Sequence, residues 1–340
     1  MVTDANMYWL PQILFTEKKI KNAFLRAVPT FYGTKISEYT EEDGNITMVI
    51  ERPEGYASLD YSQKDYRLEN QLNDMDHNHI DKGILKLPGC QEWLPLELCK
   101  IFNDEICKHV KNSKGRLQAL AVVPPIADDD IFKELDRAIY DLNLVGIQLS
   151  AHYGNHYLDD KMFRPFFKKV NEMNIPIYVH HTPVPVEYKT IYEYNNLRRS
   201  LGRCIDQNIA IGREIFSGMF EEFPKLKLIH SMLGGGFHTH LSSLFPENSG
   251  DGRFDTKIEQ YKKYFSENIY FELSHAQPWG EKQLACAIAV IGADKIIYGS
   301  SYPVKVEWFA KGKNFIETLT ISEAEKEQIL SRNAQKLYKF

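Results

Sequence analysis

The stretch Tyr178-Val179-His180-His181-Thr182-Pro183 brings an apolar run to an end on two adjacent histidines. An imidazole changes charge near neutral pH, so it can give a proton, take one, or bind a metal. Other polar residues close comparable runs: Asn6 and Tyr8, Gln148 and His152, His230, His275, and Ser300 with Ser301. A single histidine in such a place is most often a hydrogen-bonded structural group. Several at the ends of successive runs describe a shared site.

They share a site only if the runs are parallel strands of one sheet. The runs are "VTDANM" (2–7), "KGILKLPG" (82–89), "LQALAVVPP" (117–125), "LVGIQLSAH" (144–152), "IPIYVHHTP" (175–183), "LKLIHSM" (226–232), "IYFELSH" (269–275) and "DKIIYGSS" (294–301). Near-continuous apolar strands with helical segments between them indicate a parallel sheet buried on both faces. In "DDDIFKELDRAIYDLN" the apolar residues Ile131, Phe132, Leu135, Ile139 and Leu142 share one helical face. "DDKMFRPFFKKVNEMN" reads as a helix that Pro165 bends or delays, and Ser322 opens the last helix with a Ser-x-x-Glu capping pattern. This alternation predicts an α/β fold, a (β/α)8 TIM barrel, whose chemistry sits where the strands end. Residues 8–65 are too long for one crossover, and "GNITMVIERPEGY" (44–56) reads as an inserted β-hairpin. The expected organisation is one barrel domain over 1–340, with the 8–65 insertion lying over the barrel mouth.

The 340 residues, 43% of them hydrophobic, suffice for a large core and exclude a disordered chain. A net charge of −5 with interspersed signs offers nothing to nucleic acid. No apolar run approaches the roughly 18–20 residues of a membrane span, and the first residues lack the pattern of a signal peptide. The five cysteines (Cys90, Cys99, Cys107, Cys204, Cys286) follow no zinc-ribbon or Cys-x-x-Cys spacing and read as reduced thiols. The expectation is a soluble cytoplasmic protein.

The order of motifs resembles the amidohydrolase-related family that includes 2-amino-3-carboxymuconate semialdehyde decarboxylase and γ-resorcylate decarboxylase. The segments carrying the resemblance are 70–89, 116–125, 144–167, "PIYVHHTP" (176–183), "LKLIHSMLGGGF" (226–237) and "GADKIIYGSSYP" (292–303). Many such proteins hold one divalent metal, often zinc. The resemblance places His180 at the fifth-strand ligand position. The first strand, usually ending Asp-x-His-x-His, here reads Asp4-Ala5-Asn6-Met7-Tyr8, and the aspartate expected after strand eight is Ser301. With both first-strand histidines and that aspartate replaced, no metal ligand and no cofactor is expected. The alternative is a weakly bound divalent ion such as zinc in a rearranged site. The "HTH" at 238–240 reads as surface or packing.

The resemblance also implies roles. A histidine ending strand six acts as general acid or base in many members, which assigns His230. Alignment on Gly234-Gly235-Gly236 would instead put Leu233 there. Arg52, in "ITMVIERP", matches an arginine that grips a substrate carboxylate, and a guanidinium fork suits that task. The catalytic set is therefore His180, His230 and Arg52, with Asn6, Tyr8, Gln148, His152, His275 and Ser301 binding substrate. His181 is expected to turn away from the mouth, because side chains alternate along a strand. The leading reading is a metal-independent or weakly metal-dependent lyase: non-oxidative decarboxylation, or related C–C cleavage, of a small unsaturated or aromatic carboxylate. The rivals are a hydrolase of a lactone or amide and a non-catalytic ligand-binding barrel. No nucleic-acid or membrane partner is expected, and family resemblance implies a homodimer.

Overall fold

The structure is a computed structural model and describes residues 1–185, 188–247 and 252–340. Its strands, in chain order, are β1 (Thr3–Tyr8), β2 (Lys35–Thr40), β3 (Ile46–Glu51), β4 (Ala57–Ser62), β5 (Lys82–Lys86), β6 (Leu117–Ala119) and β7 (Ala121–Val122). β8 (Ile147–Ser150), β9 (His152–Tyr153), β10 (His156–Tyr157), β11 (Pro176–His180), β12 (Lys227–His230), β13 (Ile269–Glu272) and β14 (Ile296–Ile297) follow. Parallel pairing runs β1-β5-β6 and β7-β8-β11-β12-β13-β14. Two seams close the ring. Leu120 N–H donates to Leu85 O across one seam, while Ala5 N–H donates to Tyr298 O and Tyr8 N–H to Tyr302 O across the other. With β6 and β7 forming one broken stave, this is the expected (β/α)8 barrel.

Pairing fixes which side chains enter the barrel, because neighbouring staves place paired residues on the same side. Tyr178 pairs with Gln148 and Ile229, and Ile229 with Tyr270. Ile84, Leu120, Tyr178, Ile229 and Ile297 form an interior cluster that the C-terminal residues Ala334, Leu337 and Tyr338 plug from one end. One step nearer the mouth, His180 pairs with Ser150 and Glu272 with Ile297. Val179, His230 and Phe271 face the surrounding helices instead.

The helices follow local chemistry. Asp128 caps helix Asp129–Asp136, its side chain accepting from the Asp130 and Ile131 N–H groups. Pro165 sits in the first turn of Arg164–Met173, where its missing N–H costs nothing, so it starts that helix without bending it. Ser322 and Glu325 form the capping box. Between β1 and β5 lie helices Ile13–Thr16 and Lys18–Ala27, then a three-stranded antiparallel sheet in the order β2-β3-β4. The expected hairpin has a third strand, β4, which the sequence reading missed. Among the described residues, no helix is long and apolar enough to cross a membrane.

Candidate active site

At the C-terminal ends of the staves lies a cavity of about 310 Å³. Tyr8 reaches it from β1, His180 and His181 from β11, and His275 from the turn after β13. Leu59 and Tyr61 of β4 wall it, and the Tyr61 hydroxyl donates to Pro88 O at 2.9 Å. Arg199, Arg203 and Lys305 also line it, as does Asp60, the one acid among the described lining residues. Arg203 belongs to helix Gly202–Phe216, which packs on the glycine turn after β12. Gly235 there has φ +64°, and a Cβ would lie 2.0 Å from Cys204 O, so only glycine allows this approach. Asn208 Nδ2 donates to both Cys204 O and Gly235 O, at 2.8 Å each.

His180 is locked. Its Nδ1 lies 2.5 Å from His181 O, a carbonyl that can only accept, so Nδ1 carries the hydrogen. Nε2 then accepts from the Tyr8 hydroxyl at 2.9 Å. Burial first, then the Lys86 charge, pushes its pKa down to about 3. His181 does not turn away as alternation predicts. β11 stops at His180, and His181 N–H donates to Ser231 Oγ at 2.9 Å, which leaves the two rings stacked at 4.2 Å. His275 meets His181 edge-on at 4.8 Å. Both rings are held neutral, well below imidazole's ordinary value, by burial first and then by neighbouring histidines and Arg203.

Beneath the histidines lies a buried polar floor. Glu272 accepts from Tyr178 OH (2.8 Å), Asn6 Nδ2 (2.9 Å), Ser274 N–H (2.6 Å) and Ser274 Oγ (3.1 Å). Lys86 stands on the Tyr178 ring at 3.3 Å and donates to Ala5 O; burial lowers its pKa to about 7. Burial raises Asp4 to about 6 against hydrogen bonds from Ser300 and Asn6 N–H.

The structure brings Tyr8, His180 and His275 together in the cavity, with Asn6 and Ser301 in the floor. The other expected site residues lie elsewhere. His230 faces outward by register, between Gln207 Oε1 and Glu214 Oε2 at 2.8 Å each, so the role assigned to it at the strand tip is corrected. Arg52 is buried, donating to Thr34 Oγ1 and Pro29 O at 2.8 Å with Phe31 beneath it, and does not line this cavity. Gln148 clamps the Leu87 backbone through both amide atoms. His152 pairs with Asp206 at 3.0 Å under a separate cleft. Arg199, Arg203, Lys305, Glu272 and Ser274 were missed. The visible signal was Arg199 and Arg203, four apart on a helical segment following the histidine pair.

Comparison with known proteins adds the following. Residues 96–340 match the family described as amidohydrolase. The γ-resorcylate decarboxylase of Rhizobium sp. (strain MTP-10005) is 26% identical over 323 residues, 88% of this chain and 97% of that protein. Among solved structures, 5-carboxyvanillate decarboxylase from Novosphingobium aromaticivorans, complexed with manganese and 4-hydroxy-3-methoxy-5-nitrobenzoic acid, superimposes with a TM-score of 0.76 at 20% identity, covering 100% of this chain and 96% of that one. A dihydroxybenzoic acid decarboxylase from Polaromonas sp. with bound manganese and 2-nitroresorcinol gives 0.71 at 21% identity, covering 99% and 96%.

These manganese-bearing neighbours overturn the expectation that no cofactor belongs with this architecture. The residues of this chain nevertheless do not reproduce a ligand set at the mouth. His180 spends both nitrogens on protein partners, and Asn6 turns its amide nitrogen toward Glu272. Asn6 Oδ1 is the floor's one buried oxygen without a hydrogen-bond partner among the described residues. No group of three or more His, Cys, Asp or Glu converges as a metal site among the described residues, whereas manganese favours about six oxygen-type ligands. The family itself rests on the match to residues 96–340, more than half of the protein: this chain belongs to the amidohydrolase family.

Proposed function

We propose that the protein is a non-oxidative decarboxylase of a small aromatic or conjugated carboxylate, bound in the cavity between Arg203, Arg199 and Lys305 and the three histidines. One observation carries the reading: three cations and three neutral imidazoles line a single cavity at the catalytic end of the barrel. The cations attract and orient a carboxylate, and a guanidinium offers it two parallel hydrogen bonds. A carbon that loses carboxylate must gain a proton, and an imidazole beside it supplies one. Tyr8 and His180, locked to each other, form a rigid wall of the cavity. Arg52 pins the loop at Pro29 and Thr34 to the inserted sheet. The hydrolase and pure-binder readings lack this specific support, since neither needs a cationic wall opposite neutral bases.

The test is release of CO2 from 2,6-dihydroxybenzoate and 5-carboxyvanillate, assayed with and without added manganese. Arg203→Met should raise KM about 10–100-fold, matching the roughly 1.5–3 kcal/mol of a charge-assisted hydrogen bond. No CO2 from either compound under either condition, or binding unaffected by Arg203→Met, would overturn the proposal.

A further inference from the structure

Three histidines line the cavity, and they are not equivalent. Both His180 nitrogens are engaged, one by Tyr8 and one by a carbonyl. His181 Nδ1 is 3.3 Å from Ser231 Oγ, whose other side-chain neighbour is the neutral amide of Gln207 at 3.4 Å. His275 Nδ1 is 3.0 Å from Ser274 Oγ, and that hydroxyl points at the Glu272 carboxylate, 3.1 Å away. A hydroxyl has one hydrogen. Asn6 Nδ2 and Ser301 Oγ also lie 3.0 Å from the Ser274 oxygen. With Asn6 spending its two hydrogens on Glu272 and Ser301, and Ser274 donating to Glu272, the two lone pairs of Ser274 are left for Ser301 and His275, an arrangement that puts the His275 hydrogen on Nδ1. His275 lines the cavity, and its Nε2 lone pair makes no hydrogen bond to protein among the described residues. His181 and Trp308 meet the ring at 4.8 and 4.9 Å, both edge-to-face, and hold its orientation.

From this geometry we infer that His275 delivers the proton to the carbon that loses its carboxylate, and that Glu272, acting through the Ser274 hydroxyl, positions it and supports its charged form. The inference rests on the decarboxylase reading above and names the residue that performs its chemical step. His275 Nε2 takes a proton from solvent. That N–H bond breaks as a C–H bond forms on the carboxylate-bearing carbon, drawing on the substrate's π electrons. The C–C bond then breaks, its electron pair restores the π system, CO2 leaves, and His275 is neutral again. The sum is carboxylate plus proton to neutral product plus CO2.

Charge on His275 is opposed in the empty cavity by burial first, then by Arg203, His180, Lys305 and Arg199. A carboxylate bound among those cations cancels much of their field at the ring, while Glu272 lies behind it at the relay's far end. Protonation is therefore favoured when substrate is present. Among the described residues, only His275 of the three histidines has an acidic group one hydroxyl away to share that charge.

Two measurements on the full-length protein test this. With ¹⁵N-labelled histidine, the NMR signals lost in His275→Asn should report a ring protonated at Nδ1 in the parent protein, and Ser274→Ala should shift that ring toward the Nε2–H form. An Nε2–H ring in the parent protein, or no response to Ser274→Ala, overturns the inference whatever the substrate proves to be. With 2,6-dihydroxybenzoate, His275→Asn should lower kcat by about 10²–10⁴ with KM nearly unchanged. Ser274→Ala should lower kcat less, and Ser274→Thr should restore it. Parent-like kcat in His275→Asn overturns the inference while leaving the decarboxylase reading intact. Absence of turnover by the parent protein overturns that reading, and with it the assignment of a carbon as the proton's destination.

Discussion

Lys86 offers a direct measure of how the floor of the site is paid for in stability. Its amine is fully buried, with Tyr178 below it and Ala5 O as its hydrogen-bond acceptor. Burial outweighs attraction to Glu272 and Asp4 and lowers its pKa from 10.5 to about 7. Between those values the unfolded chain holds a proton that the folded chain has released, so this residue makes stability rise with pH. At about 1.36 kcal/mol per pKa unit, the gain from pH 7.5 to 9.5 is about 2.5 kcal/mol. Lys86→Met keeps most of the stem and removes the titration. The variant loses the amine's hydrogen bond to Ala5 O, about 0.5–1.5 kcal/mol, which offsets the comparison nearly equally at each pH. The prediction concerns the slope: urea unfolding at pH 7.5, 8.5 and 9.5 should show parent-minus-variant stability climbing by about 2.5 kcal/mol. Groups that titrate alike in both proteins cancel in that difference. A flat difference would refute the reasoning, because it would mean that Glu272 and Asp4 hold the ammonium charged despite its burial.

Two further outcomes follow from the same contacts. His230→Asn should cost about 2–4 kcal/mol in urea unfolding, since it leaves Glu214 buried without its partner, while kcat of the folded protein changes less than about threefold; a hundredfold loss of kcat at unchanged stability would return His230 to the catalytic set. Gly299→Ala places a Cβ 2.3 Å from Glu272 Oε1 and 2.6 Å from Asn6 Cβ. It should lower stability by about 1–3 kcal/mol and depress kcat by displacing the relay carboxylate, and an unchanged melting temperature with unchanged kcat would contradict the packing described.

What could be read from residues alone, and what could not, follows from how a barrel is buried. Each stave announced itself by an apolar run, and the Ser322 capping box was legible because it is local. The phase of a stave was not. In "LKLIHSM" no alternation of apolar and polar residues marks the inner face, because both faces are covered. Only pairing with β11, Val179 to His230, shows that His230 looks outward. Arg52 failed for a related reason: its partners, Thr34 and Pro29, lie in a loop whose path no periodicity specifies. The His180–His181 pair was readable because adjacent residues cover both phases, so one of them had to face the mouth, and the strand's end allowed both. The relay lay further out of sight. Glu272 and Ser274 are two apart, which puts them on the same side of an ideal strand, but their joint action needs the backbone to leave the stave at Glu272 so that His275 can enter the cavity beside Ser274. That departure is a tertiary event: Leu273 N–H donates across to Ile297 O, and the chain turns into the short helix Ser274–Trp279. The residues that bear the chemistry were thus visible as types, whereas their division into donor, positioning carboxylate and structural histidine is set by where each stave stops.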